Sequence, residues 1–257
     1  MLLVDDNHTY DIKEITKILG KDNFLENYNK KQIPREESVR KVLQDIKYAI
    51  TLDGLNQYKM RQVAIKSSGF VIVTRELVNA LTLFLTKKSG KPAEQINILS
   101  VACGLGCLES ALISKGFNVI CTDNKSWFEG RSNIPTFKEE NSWVDIEEIN
   151  MLKAFEKYGK DMDYVLLSWP YMDNNATELL YLMNDINPNC YMIYEGESYG
   201  GCTANDEFFD NIYVEDEMVG VNEHLLNWYG IYDEFLLVRK CPKDNIDIED
   251  AFDEYRS

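Results

Sequence analysis

A chain of 257 residues, 45% apolar and 12% aromatic, can bury a sizeable core, which excludes wholesale disorder and fits one large domain or one domain with an extension. Its formal charge of -16 disfavours an extended nucleic-acid partner, because binding phosphates needs clustered Lys and Arg. The one basic stretch, "YNKKQIPREESVRK", is interrupted by Glu36 and Glu37.

From the start, "MLLVDDNHTY" turns acidic after four residues, unlike a secretory leader, and no apolar run approaches the roughly 20 residues that cross a bilayer. The six cysteines are therefore expected to be reduced thiols in a cytoplasmic protein with no membrane partner. Residues 1–95 read as a helical N-terminal region. In "REESVRKVLQDIKYAI", Val39, Val42, Leu43, Ile46 and Ile50 recur at three- and four-residue steps, the apolar stripe of an amphipathic helix. "VTRELVNALTLFLTKKSGKP" reads as a whole helix, with Thr74 as cap, Glu76 in the first turn, Lys87 and Lys88 in the last, and Gly90 and Pro92 as the stop.

From residue 96 the texture changes to short apolar runs alternating with helical stretches. The predicted strands are Ile96–Ala102, Asn118–Thr122, Tyr164–Ser168, Cys190–Tyr194, Ile212–Val219 and Glu234–Arg239. "LESALISKG" and "NATELLYLMNDINP" read as helices between them. This alternation predicts an α/β fold, a Rossmann-like doubly wound, mostly parallel sheet over 96–241. Residues 242–257 read as an acidic, solvated tail.

In "INILSVACGLGCLESALISKG", Gly104 and Gly106 sit at the carboxyl end of a strand and before a helix. Such a turn lets a ligand lie against the backbone and the helix's first N–H groups. Nineteen residues after Gly104, at the end of the next strand, Asp123 is placed to accept ribose hydroxyls. The alternative is a turn whose glycines serve packing alone. A metal site at Cys103 and Cys107 is not expected, since no Cys or His pair downstream completes it. Where a pyrophosphate fingerprint would put a third Gly stands Glu109, whose charge repels phosphates and suits a cation. That favours S-adenosylmethionine over NAD or FAD as cofactor.

The stretch resembles the first motif of the class I S-adenosylmethionine-dependent methyltransferases, E/D-x-G-x-G-x-G. Ser100 stands where the family has its acid and Ala102 where it has the first glycine; Gly104 and Gly106 match. The resemblance implies cofactor contacts from Ser100, Ala102, Cys103, Gly104, Gly106, Asp123 and Asn124. "IEEINMLKAF" is similar to the third motif and would put Asn150 near the adenine; the plain reading of Asn150 is a helix-start residue. "MDYVLLSWPYMD" resembles the fourth motif, D/N/S-P-P-Y/F, of methyltransferases acting on exocyclic or amide nitrogen. It implies that Ser168 accepts a hydrogen bond from the acceptor, that Trp169 and Pro170 supply carbonyls, and that Tyr171 stacks. Trp169 replaces the first proline of the pair. Without the resemblance, Ser168–Tyr171 reads as a strand end with a rigid turn and a packing Trp.

Glu195 and Glu197, in "YMIYEGESYGGCTANDEFF", are placed in a loop at the sheet's carboxyl edge, as substrate contacts or as solvated acids. With "SWPY", this loop resembles a set of methyltransferase-like proteins with S-W-P-P and G-E-x-x-G-G-x-T-A signatures. The end of the domain resembles the antiparallel strand pair that closes the methyltransferase sheet. His224 reads as a surface or capping histidine. The expected function is methyl transfer to a small or exposed polar acceptor, a small molecule or a protein, with nitrogen among the target atoms. The alternatives are a catalytically inactive methyltransferase-like binding module and a nucleic-acid amino-methyltransferase.

Overall fold

The computed structural model describes residues 9–20, 23–46, 55–131 and 137–241. In chain order these form α1 (Ile12–Leu19), α2 (Phe24–Asn29), α3 (Glu36–Asp45), α4 (Gln57–Ser68), α5 (Arg75–Ser89), β1 (Asn97–Val101), α6 (Cys107–Ser114), β2 (Asn118–Asp123), β3 (Glu147–Glu148) and α7 (Met151–Tyr158). They continue with β4 (Tyr164–Ser168), α8 (Asn175–Ile186), β5 (Tyr191–Glu197), α9 (Asp206–Asn211), β6 (Ile212–Asp216), α10 (Val219–Asn222) and β7 (Asp233–Lys240).

Local chemistry sets the helix ends. Thr74 accepts the Leu77 N–H at 3.2 Å, and Gly90 closes α5 in the left-handed conformation at φ 66°, where a side chain would be strained. In α3 the apolar stripe buries Val39 and Leu43, with Ile46 just beyond; Ile50 falls outside the described residues. The expected tail, 242–257, also lies outside them.

The seven strands of the described residues form one sheet in the order β3-β2-β1-β4-β5-β7-β6. β3, β2, β1, β4 and β5 pair in parallel, whereas β7 is antiparallel to both β5 and β6. This is the Rossmann-like doubly wound sheet with an antiparallel C-terminal pair. Alternate side chains separate its two faces: Ile98, Leu166 and Ile193 pack with α1–α6 and α10, whereas Leu99, Val165 and Leu167 pack under α7, α8 and α9. The N-terminal helices thus share a continuous apolar cluster with one sheet face.

Three boundaries differ from expectation. β3 is an edge strand of two residues, too short to show any alternation. β6 stops at Asp216, after a register shift between Val214 and Asp216, and Met218 turns left-handed into α10. β5 runs through Glu197, so Glu195 and Glu197 stand on a strand and not in a loop, because β7 pairs alongside them.

Strand order reverses between β1 and β4, and the crevice at the carboxyl ends of these strands is where open α/β sheets place ligands.

Candidate functional site

The turn after β1 is built on positive φ values at Ala102 (52°), Gly104 (58°) and Gly106 (72°). The Cys103 N–H bonds the Thr122 carbonyl at 3.1 Å, and the Gly104 N–H bonds Asp123 Oδ2 at 2.9 Å, so the turn is tied to the end of β2. Asp123 Oδ1 accepts the Lys125 N–H. Each oxygen keeps further lone pairs, so the carboxylate can still accept from hydroxyls. Burial raises the Asp123 pKa above its ordinary value, against the lowering pull of the two N–H bonds.

The two glycines do different work. A Cβ on Gly106 would lie 2.3 Å from Val144 Cγ2, so its bareness serves packing. One on Gly104 would meet only the rim of Phe137, at 3.0 Å, and Gly104 borders the cleft. Ser100 is buried and gives its hydroxyl proton to Glu109 Oε1 at 2.6 Å. Desolvation of the fully buried Glu109 pushes its pKa up to about 7, despite that bond. Burial likewise pushes the Cys103 and Cys107 thiols well up and keeps them neutral.

At the end of β4, Ser168 Oγ donates to Glu195 Oε2 at 2.5 Å. Trp169 takes a left-handed φ of 48°, its N–H bonds the Glu195 carbonyl at 2.8 Å, and its indole N–H reaches Asp233 Oδ2 at 3.3 Å. A proline can do neither, since its φ is fixed near −65° and it has no N–H. The Trp at this position therefore belongs to the architecture. Its ring stacks on Phe70 (centroids 5.3 Å apart, planes 15°) with the Arg61 guanidinium 5.3 Å from its centroid. Tyr171, half-exposed, stacks on Trp127 at 5.3 Å and 11°.

Both turns open on one cleft. Ala102, Cys103, Gly104, Asp123, Asn124, Ser168, Trp169, Pro170 and Tyr171 all line it. The other five expected residues do not. Ser100 is buried in β1, and Gly106 is buried at the end of the turn, where α6 begins. Asn150 is exposed and caps α7, accepting the Lys153 N–H at 2.9 Å. Glu195 is sealed behind Ser168. Glu197 holds its own neighbourhood, accepting from the Cys202 N–H (3.0 Å), the Cys202 thiol (2.8 Å) and the Tyr232 N–H (3.1 Å). His224, read as a surface or capping residue, bonds Glu36 at 2.8 Å and so ties the segment after α10 to α3.

The cleft also holds residues the sequence reading did not single out. Phe70, between α4 and α5, meets Trp127 and Phe137 edge-on, both at 6.2 Å, so the N-terminal region supplies one wall. Glu109, expected from the sequence to suit a cationic ligand, also faces the cleft, from the first turn of α6. Asp233 stands behind Trp169. An aromatic wall facing the carboxyls of Asp123 and Glu109 suits a ligand with a planar part and a positive charge.

No protein-family model matches the chain. No curated protein matches it. Among solved structures, 24 chains match. One is the crystal structure of magnesium protoporphyrin IX methyltransferase from Synechocystis PCC 6803 with bound SAM, at 11% identity and a TM-score of 0.39, covering 79% of this chain and 96% of that one.

Proposed function

We propose that this chain is an S-adenosylmethionine-dependent methyltransferase acting on a small or exposed polar acceptor, with nitrogen as the target atom. The observation that carries the reading is the meeting, in one cleft at the switch point, of the Gly104 turn tied to Asp123 with the Ser168–Tyr171 segment. The residues fit the cofactor. Gly104 leaves the backbone bare toward the cleft, Asp123 keeps lone pairs for ribose hydroxyls, and the carboxyls of Asp123 and Glu109 favour a cationic ligand over a phosphate.

When bound, S-adenosylmethionine supplies an electrophilic methyl group. The chain's own part is orientation: Ser168 accepts a hydrogen bond from the acceptor, Tyr171 and Trp127 offer ring faces to its planar part, and the aromatic wall limits water. Holding the reacting atoms in line provides most of the rate, as in any bimolecular transfer made effectively intramolecular. The N-terminal helices act as a substrate-selecting cap, since the segment carrying Phe70 forms a wall of the cleft. The free, neutral thiols of Cys103, at the cleft, and Cys107, in the core, suit a reducing, cytoplasmic setting.

Thermal unfolding with S-adenosylhomocysteine tests the reading. At ligand a hundredfold above Kd, a stabilisation of about 2.7 kcal/mol raises Tm by several degrees, and Asp123→Ala abolishes the rise. No shift at millimolar ligand sinks the proposal. A shift without methyl transfer to any amine, nucleoside or protein offered would favour an inactive binding module, the reading for which the non-glycine at Ala102 speaks.

A further inference from the structure

Behind the cleft wall, the side chains of Glu195 and Asp233 form a buried acid pair. Glu195 is wholly buried and Asp233 is 7% exposed, and the two are diagonal neighbours on one face of the antiparallel strands β5 and β7, where Glu195 pairs with Phe235 and Glu197 with Asp233. Each spends one oxygen on the wall: Glu195 Oε2 takes the Ser168 hydroxyl proton and Asp233 Oδ2 takes the Trp169 indole N–H. Each leaves its other oxygen, Glu195 Oε1 and Asp233 Oδ1, buried without a donor. Two bare carboxylates there would repel and forfeit their solvation, whereas one shared proton supplies what both oxygens lack.

The surroundings favour holding that proton. Glu197, on the same strand as Glu195, adds negative charge, while Arg61 from α4 sits over the Trp169 face and its charge acts on Glu197. The Tyr194 phenol, from β5, is itself pushed up by burial and stays protonated, with Glu234 of β7 among the acids around it. Burial and the neighbouring Asp233 raise the Glu195 carboxyl well above the usual carboxylate range.

Of the two cleft-lining groups bonded to the pair, the Trp169 indole N–H and the Ser168 hydroxyl, only the hydroxyl can both accept and give a proton. Its proton points back to Glu195, so the lone pairs it has left are those on the cleft side. We propose that Glu195 and Asp233 are a one-proton carboxyl pair that fixes the Ser168 hydroxyl as an acceptor and takes up, through it, the proton an acceptor nitrogen sheds on methylation. This rests on the methyl-transfer reading. The N–C bond forms as the donor's S–C bond breaks with its electrons left on sulfur, and the nitrogen then carries one proton too many. That proton passes to Ser168 Oγ as the serine's own passes to Glu195 Oε2, and the pair goes from one proton and a single negative charge to two protons and none. Glu195 and Asp233 are positioning residues, acting through Ser168.

Infrared spectroscopy of the purified full-length chain tests the pair without any ligand. A protonated-carboxyl band is expected to persist above about pH 5, where ordinary carboxyls are ionised, and to grow as the pair gains its second proton. The near-isosteric changes Glu195→Gln and Asp233→Asn should each remove it. Ser168→Ala should shift it by deleting the bond to Oε2, and it serves alone if the amide variants do not fold. Glu109→Gln should leave it in place while removing the separate band of that other buried acid. No such band above about pH 5, or one untouched by the pair variants and by Ser168→Ala, overturns the proposal. The S-adenosylhomocysteine shift, measured on the same sample, separates the two ideas. A shift without the band ends the proton relay alone; a band without the shift ends the methyl-transfer reading and the relay that rests on it.

Discussion

The turns after β1 and β4 lie on neighbouring strands and share a plan. Each has a serine near the strand's end that gives its proton to a buried glutamate, Ser100 to Glu109 at 2.6 Å and Ser168 to Glu195 at 2.5 Å. Each also holds a non-glycine residue in the left-handed region, Ala102 at φ 52° and Trp169 at φ 48°. They differ in what stands around these parts. Glu109 faces the cleft, so a ligand's charge acts on it directly, whereas Glu195 is sealed off and backed by Asp233. Ala102 sits strained where glycine would relax, while Trp169 is held by its N–H, its indole and a stacked ring. The same kind of departure from the methyltransferase pattern is a tolerated flaw in one turn and a built part in the other.

That contrast predicts opposite outcomes for substitutions that install the residue of the methyltransferase motif each turn resembles. Trp169→Pro should cost at least about 4 kcal/mol, because it forces φ to about −65°, removes an N–H bond and empties the indole's place; denaturant unfolding would show it. A loss under about 1 kcal/mol would mean that the Trp is as dispensable as Ala102.

Next in size is the titration of Glu109. Its folded pKa of about 7 lies above its ordinary value of 4.5, so the folded chain holds the proton more tightly than the unfolded one. The stability this gives is full below about pH 4.5 and is lost as pH rises through about 7, a change of roughly 3 kcal/mol. Glu109→Gln should remove that slope, so the stability difference between variant and parent should move in the variant's favour from about pH 4.5 to about pH 8. Parallel curves would mean that Glu109 keeps its ordinary pKa in the folded chain despite its burial. The smallest effect is Ala102→Gly. Relief of a left-handed side chain is worth about 1–2 kcal/mol and added backbone freedom takes back about 0.5–1, so a net gain near 0.5–1 kcal/mol is expected in the same melts.

Much of this arrangement was legible in the residues. A strand, a glycine turn, a helix and an acid nineteen residues on pointed Gly104 and Asp123 at one ligand; the structure brings the two together through a direct bond that the spacing did not announce. The Thr74 and Gly90 helix ends were legible because capping is chemistry among neighbours. The Glu195–Asp233 pair was not, since it joins side chains 38 positions apart through antiparallel pairing of β5 and β7. Phe70, Trp127 and Phe137 follow no period, so nothing in the sequence announced a shared wall. Asn150 shows the converse: a loose motif match suggested adenine, while the simpler helix-start reading describes its bond to Lys153.

Phe70 carries a consequence for how anything enters the cleft. Its one ring touches Trp127, Phe137 and Trp169, which come from separate stretches of the chain, and Trp127 in turn carries Tyr171. Close-packed rings have no slack to absorb a partial shift. A guest that displaces any one of them must reseat the group, so entry would be a single concerted step, visible as one rate for all the ring signals. The cleft is latched at the very residue that the N-terminal region contributes.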